Sequence, residues 1–86
     1  MRDTDYAEEL CEPSIIPFPS GSEGRIERLF IKKTRTEAIR FSWWKDGNLV
    51  PRPLDVTEEE LLKLLADALA KGVFTPEFRN ELKSLL

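Results

Sequence analysis

The dipeptide Asp46-Gly47 limits the fold of this chain more than any other feature, because it lies between two runs of residues that favour β-strands. Both residues tolerate the positive φ angles that a two-residue type I′ hairpin turn requires. Such a turn pairs Lys45 with Asn48, and alternation along the ladder then pairs Trp43 with Val50. The sequence therefore predicts a hairpin whose register is fixed by its turn.

Two prolines after this turn support the same register. Continuing the ladder pairs Phe41 with Arg52 and leaves the backbone of Pro51 and Pro53 pointing away from the middle strand. Proline has no N–H to donate, so both residues fall where the ladder needs no donor. The third strand, expected at residues 48–54, should be a sheet edge that resists further pairing.

A second hairpin is expected just before this one, with strands at residues 25–33 and 38–45. A three-residue loop at residues 34–36 places apolar side chains opposite each other, Leu29 with Phe41 and Ile31 with Ile39. The first strand is apolar on both sides, so a one-residue slip that pairs Phe30 with Phe41 stays open.

The adjacent tryptophans point to opposite faces of this sheet, because side chains alternate along a strand. One face is expected to carry the core, with Leu29, Ile31, Ile39, Phe41, Trp43 and Val50. The outer face is expected to carry Ile26, Arg28, Phe30, Lys32, Arg40, Ser42, Trp44 and Leu49. Trp44 is therefore left outside the predicted core.

The remainder of the chain is helical. Thr57 and Glu60 form a capping box, and Lys71-Gly72 is a plausible end for that helix. Thr75-Pro76 then begins a second helix. The sequence predicts an α+β fold, a three-stranded antiparallel β-meander followed by two C-terminal helices packed on one face, in the order β-β-β-α-α.

Residues 1–24 differ from the rest in composition, since they combine acidic side chains with three prolines and a Ser-Gly-Ser-Glu-Gly run. We expect a flexible acidic, Pro-rich N-terminal arm, followed by a single α+β domain at residues 25–86. The alternative is that Ile15–Phe18 form an extended segment that covers an apolar surface.

Composition argues against an enzyme. The chain has no histidine, so the commonest general base and metal ligand are missing. Cys11 has no basic neighbour that would lower its pKa. The first residues do not form a signal peptide and no apolar run could span a membrane. We therefore expect a cytoplasmic protein without catalytic activity, cofactor or metal.

Charge is strongly segregated along the chain. Residues 25–52 carry eight basic and three acidic side chains, whereas the segments before and after them are acidic. Cations beside exposed rings are typical of surfaces that bind single-stranded nucleic acid. We expect a binding domain for single-stranded nucleic acid, another polyanion or an acidic protein segment, with a site formed by Arg28, Phe30, Lys32, Arg40, Trp44 and Lys45.

A structural or protein–protein interaction module is the alternative hypothesis. It would be a homodimer that forms through the free edge of the first predicted strand or through an apolar patch around Trp44. In this hypothesis Trp44 is covered by a second subunit, or by the Ile15–Phe18 segment of its own chain.

The stretch from Lys45 to Leu65, KDGNLVPRPLDVTEEELLKLL, resembles the last hairpin and the helix start of single-stranded-DNA-binding transcriptional coactivators of the positive-cofactor type. That resemblance implies a curved sheet, a dimerising helix and binding of single strands. The four strands and single terminal helix of that family are not matched in this sequence.

Overall fold

A computed structural model describes residues 2–86 of the chain as an antiparallel five-stranded sheet with two helices after it. The strands are β1 Ala7–Glu9, β2 Ser14–Pro17, β3 Glu23–Ile31, β4 Thr36–Lys45 and β5 Asn48–Val50. The α+β class agrees with the sequence, but the three-stranded meander is corrected to five strands. The two additional strands come from the segment expected to be an arm, and the domain boundary expected at residue 25 lies inside β3.

The two N-terminal strands share one edge of β3. β1 pairs with residues 29–31, and β2 pairs with residues 23–26. A tight turn joins β2 to β3, in which the Phe18 amide donates to the Ser22 carbonyl oxygen and Gly21 takes a left-handed φ of 87°. The edge through which a dimer was expected to form is therefore occupied by the chain itself.

The β4–β5 hairpin has the predicted register. Lys45 lies opposite Asn48 and Trp43 opposite Val50. Asp46 and Gly47 have φ values of 52° and 76°, as a type I′ turn requires. The predicted third strand, residues 48–54, is too long. β5 ends at Val50, so Arg52 does not pair with Phe41.

The β3–β4 hairpin has a different register from the predicted one. Phe41 lies opposite Ile26 instead of Leu29, an offset of three residues. The strands are joined by a four-residue turn at 32–35, in which Arg35 has a left-handed φ of 54°. Because the offset is odd, each side chain of β3 points to the face opposite to the predicted one.

Helix α1 and the core lie on one side of the sheet, here called the helix side. Helix α1, Glu58–Ala70, begins with the predicted Thr57–Glu60 capping box. Helix α2, Pro76–Leu85, is capped by Thr75 at its N-terminus, as predicted, and has no buried residue. The buried core cluster consists of Ile16, Ile26, Leu64, Ala68, Val73 and Phe74. Neither helix is both long and apolar enough to cross a membrane.

Candidate functional site

Trp44 is covered on the side of the sheet opposite the helices. Its side chain is only 4% exposed. The guanidinium carbons of Arg2 and Arg25 lie 4.5 Å and 4.1 Å from the centre of its ring. Its indole Nε1 donates a hydrogen bond of 2.8 Å to Ser42 Oγ. Trp44 is therefore held by cations and a hydroxyl group, outside the apolar core.

The cover over this surface is the N-terminal segment, residues 2–10, here called the strap. The strap folds back on itself, because the Thr4 amide donates to the Ala7 carbonyl oxygen and the Glu9 amide donates to the Arg2 carbonyl oxygen. Lys32 at the end of β3 forms an ion pair with Asp3. We call this side of the sheet the strap side.

A buried carboxylate, Glu27, lies at the centre of the strap side. It is 0% exposed. Its Oε1 accepts hydrogen bonds from Arg40 Nε at 3.1 Å, Arg40 Nη2 at 2.9 Å and Ser42 Oγ at 3.2 Å. Burial opposes ionisation of Glu27, but hydrogen bonds from Glu9 and Arg40 outweigh it and hold the pKa of Glu27 below its ordinary value.

The strap supplies a second carboxyl group to this cluster. Glu9 is 7% exposed, and its Oε2 accepts a hydrogen bond of 3.1 Å from the Arg2 amide. Burial, followed by the hydrogen bond to Glu27, raises the pKa of Glu9. The other oxygen, Glu27 Oε2, has no hydrogen-bond donor among the described residues unless the carboxyl of Glu9 carries a proton. The opposite shifts mean that Glu9 keeps its proton to a higher pH than Glu27 does.

This arrangement suits attachment of the strap better than catalysis. Glu27 is fully buried, so its carboxylate cannot reach a substrate while the strap is closed. Beside the pair is a cavity of about 170 Å³ lined by Arg2, Thr4, Tyr6, Ala7, Glu9, Leu29, Arg40 and Leu49. Among residues 2–86, no group of three or more potential metal ligands is found.

The six residues expected to form the site are divided between the two sides of the sheet. Lys32, Arg40 and Trp44 lie on the strap side or at its end. Arg28 and Phe30 lie on the helix side because of the β3 register, whereas Lys45 is exposed beside the β4–β5 turn. The expected single basic, aromatic face is therefore not formed.

Arg28 illustrates how the register changes the role of a predicted site residue. On the helix side its Nε donates to the Val73 carbonyl oxygen at 2.6 Å, and its Nη1 contacts Glu37 Oε1 at 2.8 Å. Arg28 thus connects the sheet to the segment between the helices. It is not available to a ligand on the strap side.

Five residues of the cluster around Trp44 were missed from the sequence: Arg2, Glu9, Arg25, Glu27 and Ser42. One signal for them was present, since Glu27 is a lone acid within an otherwise apolar and basic strand. A buried acid needs a cation or hydrogen-bond donors. Pairing Glu27 with Arg40 would have indicated the correct register.

The alternative surfaces for a homodimer are also covered. The edge of β3 is paired with β1 and β2. The Trp44 ring is covered in part by Arg2 of the strap, and the Ile15–Phe18 segment forms most of β2 at the sheet edge. A dimer through either surface would first require the chain to release its own residues.

Comparison with protein-family models, with curated proteins and with solved structures found no match for this chain. Its function must be inferred from the site itself.

Proposed function

We propose that this protein is a small non-enzymatic binding domain and that its binding surface is the strap side of the sheet around Trp44. The observation that supports this proposal is the contact of the Trp44 ring with two guanidinium groups, one of which belongs to the strap. In the free protein, the strap occupies the surface. A ligand binds by replacing it.

The strap is a plausible segment to be replaced because its attachment is small. Its only regular pairing with the sheet is the three-residue strand β1. Its ion pair between Lys32 and Asp3 is partly exposed, and exposed ion pairs add little to stability. Short segments with few buried contacts open at lower free energy than the core does.

The surface under the strap favours a negatively charged ligand. When the strap leaves, the Trp44 ring is uncovered beside Arg25, and Arg40 stays paired with Glu27. Lys32, at the far end of β3 from Trp44, loses its carboxylate partner Asp3. A polyanion or an acidic protein segment would replace the carboxylates of the strap. Single-stranded nucleic acid is one version of this ligand, because a base could stack on the ring face that Arg2 now covers.

Titration of the full chain would test this function. The variant Arg2→Ala with Asp3→Ala loosens the strap and leaves the net charge unchanged. The control Glu77→Ala with Arg79→Ala removes the same charges from exposed positions of α2. Both are made in a Trp43→Phe background, so that the fluorescence reports Trp44 alone.

Poly-L-glutamate and a thymidine oligonucleotide are the probes, each at two salt concentrations. We expect the loosened variant to bind at least one of them more tightly than the control does, and more weakly as salt rises. Binding of neither probe at low salt by either protein would contradict the proposed function.

A homodimer is the second candidate, and the strap gives it a specific form. If the strap of one copy lay on the sheet of a second copy, each of its contacts would be kept between subunits. Only the connection at residues 10–13 would have to change. Sedimentation across the micromolar range tests this candidate, and a monomer at every concentration contradicts it.

A further inference from the structure

We infer that the partner of this surface is an extended acidic segment of another protein, which adds to β3 as a strand in the place of β1. This inference rests on the proposed function and narrows it, because it excludes ligands that lack a peptide backbone. The strap provides the argument, since it is an acidic segment already bound there.

The backbone of β3 offers a ladder to such a partner. Besides the pairing of β1 with residues 29–31, the Leu10 amide donates to the Arg28 carbonyl oxygen at 3.0 Å. The Lys32 amide donates to the Tyr6 carbonyl oxygen at 3.1 Å. Without the strap, these edge groups of β3 need new backbone partners, and an added strand supplies them.

The charges along this edge favour acidic residues. The strap carries four carboxylates and one guanidinium group. The pKa of Lys32 is raised, first by its hydrogen bond to Asp3 and then by the charges of Asp3, Glu8 and Asp5. A partner with carboxylates near these positions would replace each favourable interaction that the strap gives up.

The pattern of burial in β1 specifies the partner further. Ala7 and Glu9 are buried on the strap side, at 6% and 7% exposure, whereas Glu8 between them is exposed. A partner strand should therefore have a small side chain at the position of Ala7 and a carboxylic acid at the position of Glu9. The position of Glu8 between them accepts any side chain. The acid at the Glu9 position is buried against Glu27, whose Oε2 needs a donor.

A nucleic acid fits this edge less well. Its phosphates cannot form a β-ladder with the edge groups of β3. Glu27 lies under Arg40 and Glu23 contacts Arg25, so each of these cations is already neutralised by a carboxylate. A phosphate would meet both negative groups, whereas a protonated carboxylic acid can hydrogen-bond to one of them.

The experiment uses the full chain carrying Arg2→Ala with Asp3→Ala, and a synthetic peptide with the sequence of residues 2–10 as the probe. Controls are a scrambled peptide of equal composition and two variant peptides. Ala7→Arg changes a buried position, and Glu8→Ala changes the exposed position beside it. Fluorescence of Trp44 reports binding, and circular dichroism checks that the variant is folded.

We expect the native peptide to bind about tenfold or more tightly than the scrambled peptide, a difference of about 1.4 kcal/mol. The Ala7→Arg peptide should lose this advantage, whereas the Glu8→Ala peptide should keep most of it. If the double variant unfolds, Asp3→Ala alone serves as the milder variant.

The outcomes separate this inference from the function on which it rests. Equal binding of native and scrambled peptides, or binding of the oligonucleotide without the peptide, overturns the inference and leaves a binding domain for anions. Failure of every probe, including poly-L-glutamate, overturns both.

Discussion

Trp44 shows how a large ring can be covered without belonging to an apolar core. Its ring contacts two guanidinium groups, and its indole N–H donates to Ser42 Oγ. A cation on a tryptophan face contributes about 0.5–2 kcal/mol, depending on how well the pair is desolvated. The ring and the strap therefore stabilise each other.

Because Trp44 is covered, we predict that Trp44→Ala lowers the free energy of unfolding by about 3–5 kcal/mol. The matched control is Phe41→Ala, an aromatic residue on the same strand that is 50% exposed and should cost much less. Denaturant unfolding measures both. Equal losses would mean that the strap does not shield Trp44 in solution.

The buried pair of Glu9 and Glu27 links the strap to pH. Glu9 has a raised pKa, so its protonated form is favoured in the folded protein and its stabilising contribution is complete below the unfolded pKa. That contribution is lost as the pH rises through the raised pKa. Glu27 has the opposite shift, and its contribution is lost as the pH falls through its lowered pKa.

Glu9→Gln should remove the loss of stability at higher pH, because the amide side chain keeps a hydrogen-bond donor toward Glu27 and does not ionise. We predict that the wild-type protein loses stability relative to this variant as pH rises above the ordinary glutamate value of 4.5. Denaturant unfolding at several pH values measures the difference. A difference that is constant with pH would contradict the raised pKa of Glu9.

At the level of elements, β2 is attached to α1 through a buried serine. Ser14 is fully buried, and its Oγ lies 3.0 Å from the Leu64 carbonyl oxygen and 2.9 Å from Asp67 Oδ2. Burial opposes ionisation of Asp67, but hydrogen bonds from Ser14 and Lys71 outweigh it and lower the pKa of Asp67. This contact places β2 under the helix.

We predict that Ser14→Ala destabilises the protein by about 1–3 kcal/mol, because the variant removes a buried hydroxyl that bonds to α1, one of its acceptors being the charged group of Asp67. Ser84→Ala is the control, since Ser84 is exposed and bonds only within α2. Thermal unfolding compares the two. A loss no larger than that of the control would show that β2 is held by its apolar residues alone.

Sequence patterns predicted the elements whose signals are local. The Asp46-Gly47 turn determines the β4–β5 register, and the Thr57 capping box marks the start of α1. The β3–β4 register was wrong because its turn uses Arg35 in a left-handed conformation, which non-glycine residues seldom adopt. β1 and β2 were missed because they are short and lie among prolines and charged residues.

The same error explains the candidate site. An odd shift in register moved Arg28 and Phe30 to the helix side, while Arg40 and Trp44 kept their predicted side because their strand is fixed by the other turn. The strap could not be inferred from its own composition. Its acidic residues indicate structure only when the cations facing them are known.

For the molecule as a whole, folding brings the acidic N-terminus onto the basic middle of the chain. The positive charge of residues 25–52, which suggested an anionic ligand, is therefore partly neutralised within the protein. Among the described residues, Lys32 pairs with Asp3 of the strap. Three further basic residues pair with acids of β3 and β4: Arg25 with Glu23, Arg28 with Glu37 and Arg40 with Glu27. Release of the strap would uncover part of this charge.

The proposed function requires the strap to open while the rest of the sheet stays folded. We predict that the Leu10 and Lys32 amides, which bond across this junction, exchange their hydrogens at least about tenfold faster than amides in the middle of the β3–β4 ladder. Hydrogen exchange followed by NMR measures both sets. Asp3→Ala should speed exchange at the two junction amides and leave the ladder unchanged. Equal protection in both sets would mean that the strap opens only when the whole protein unfolds, and no ligand could then replace it in the native state.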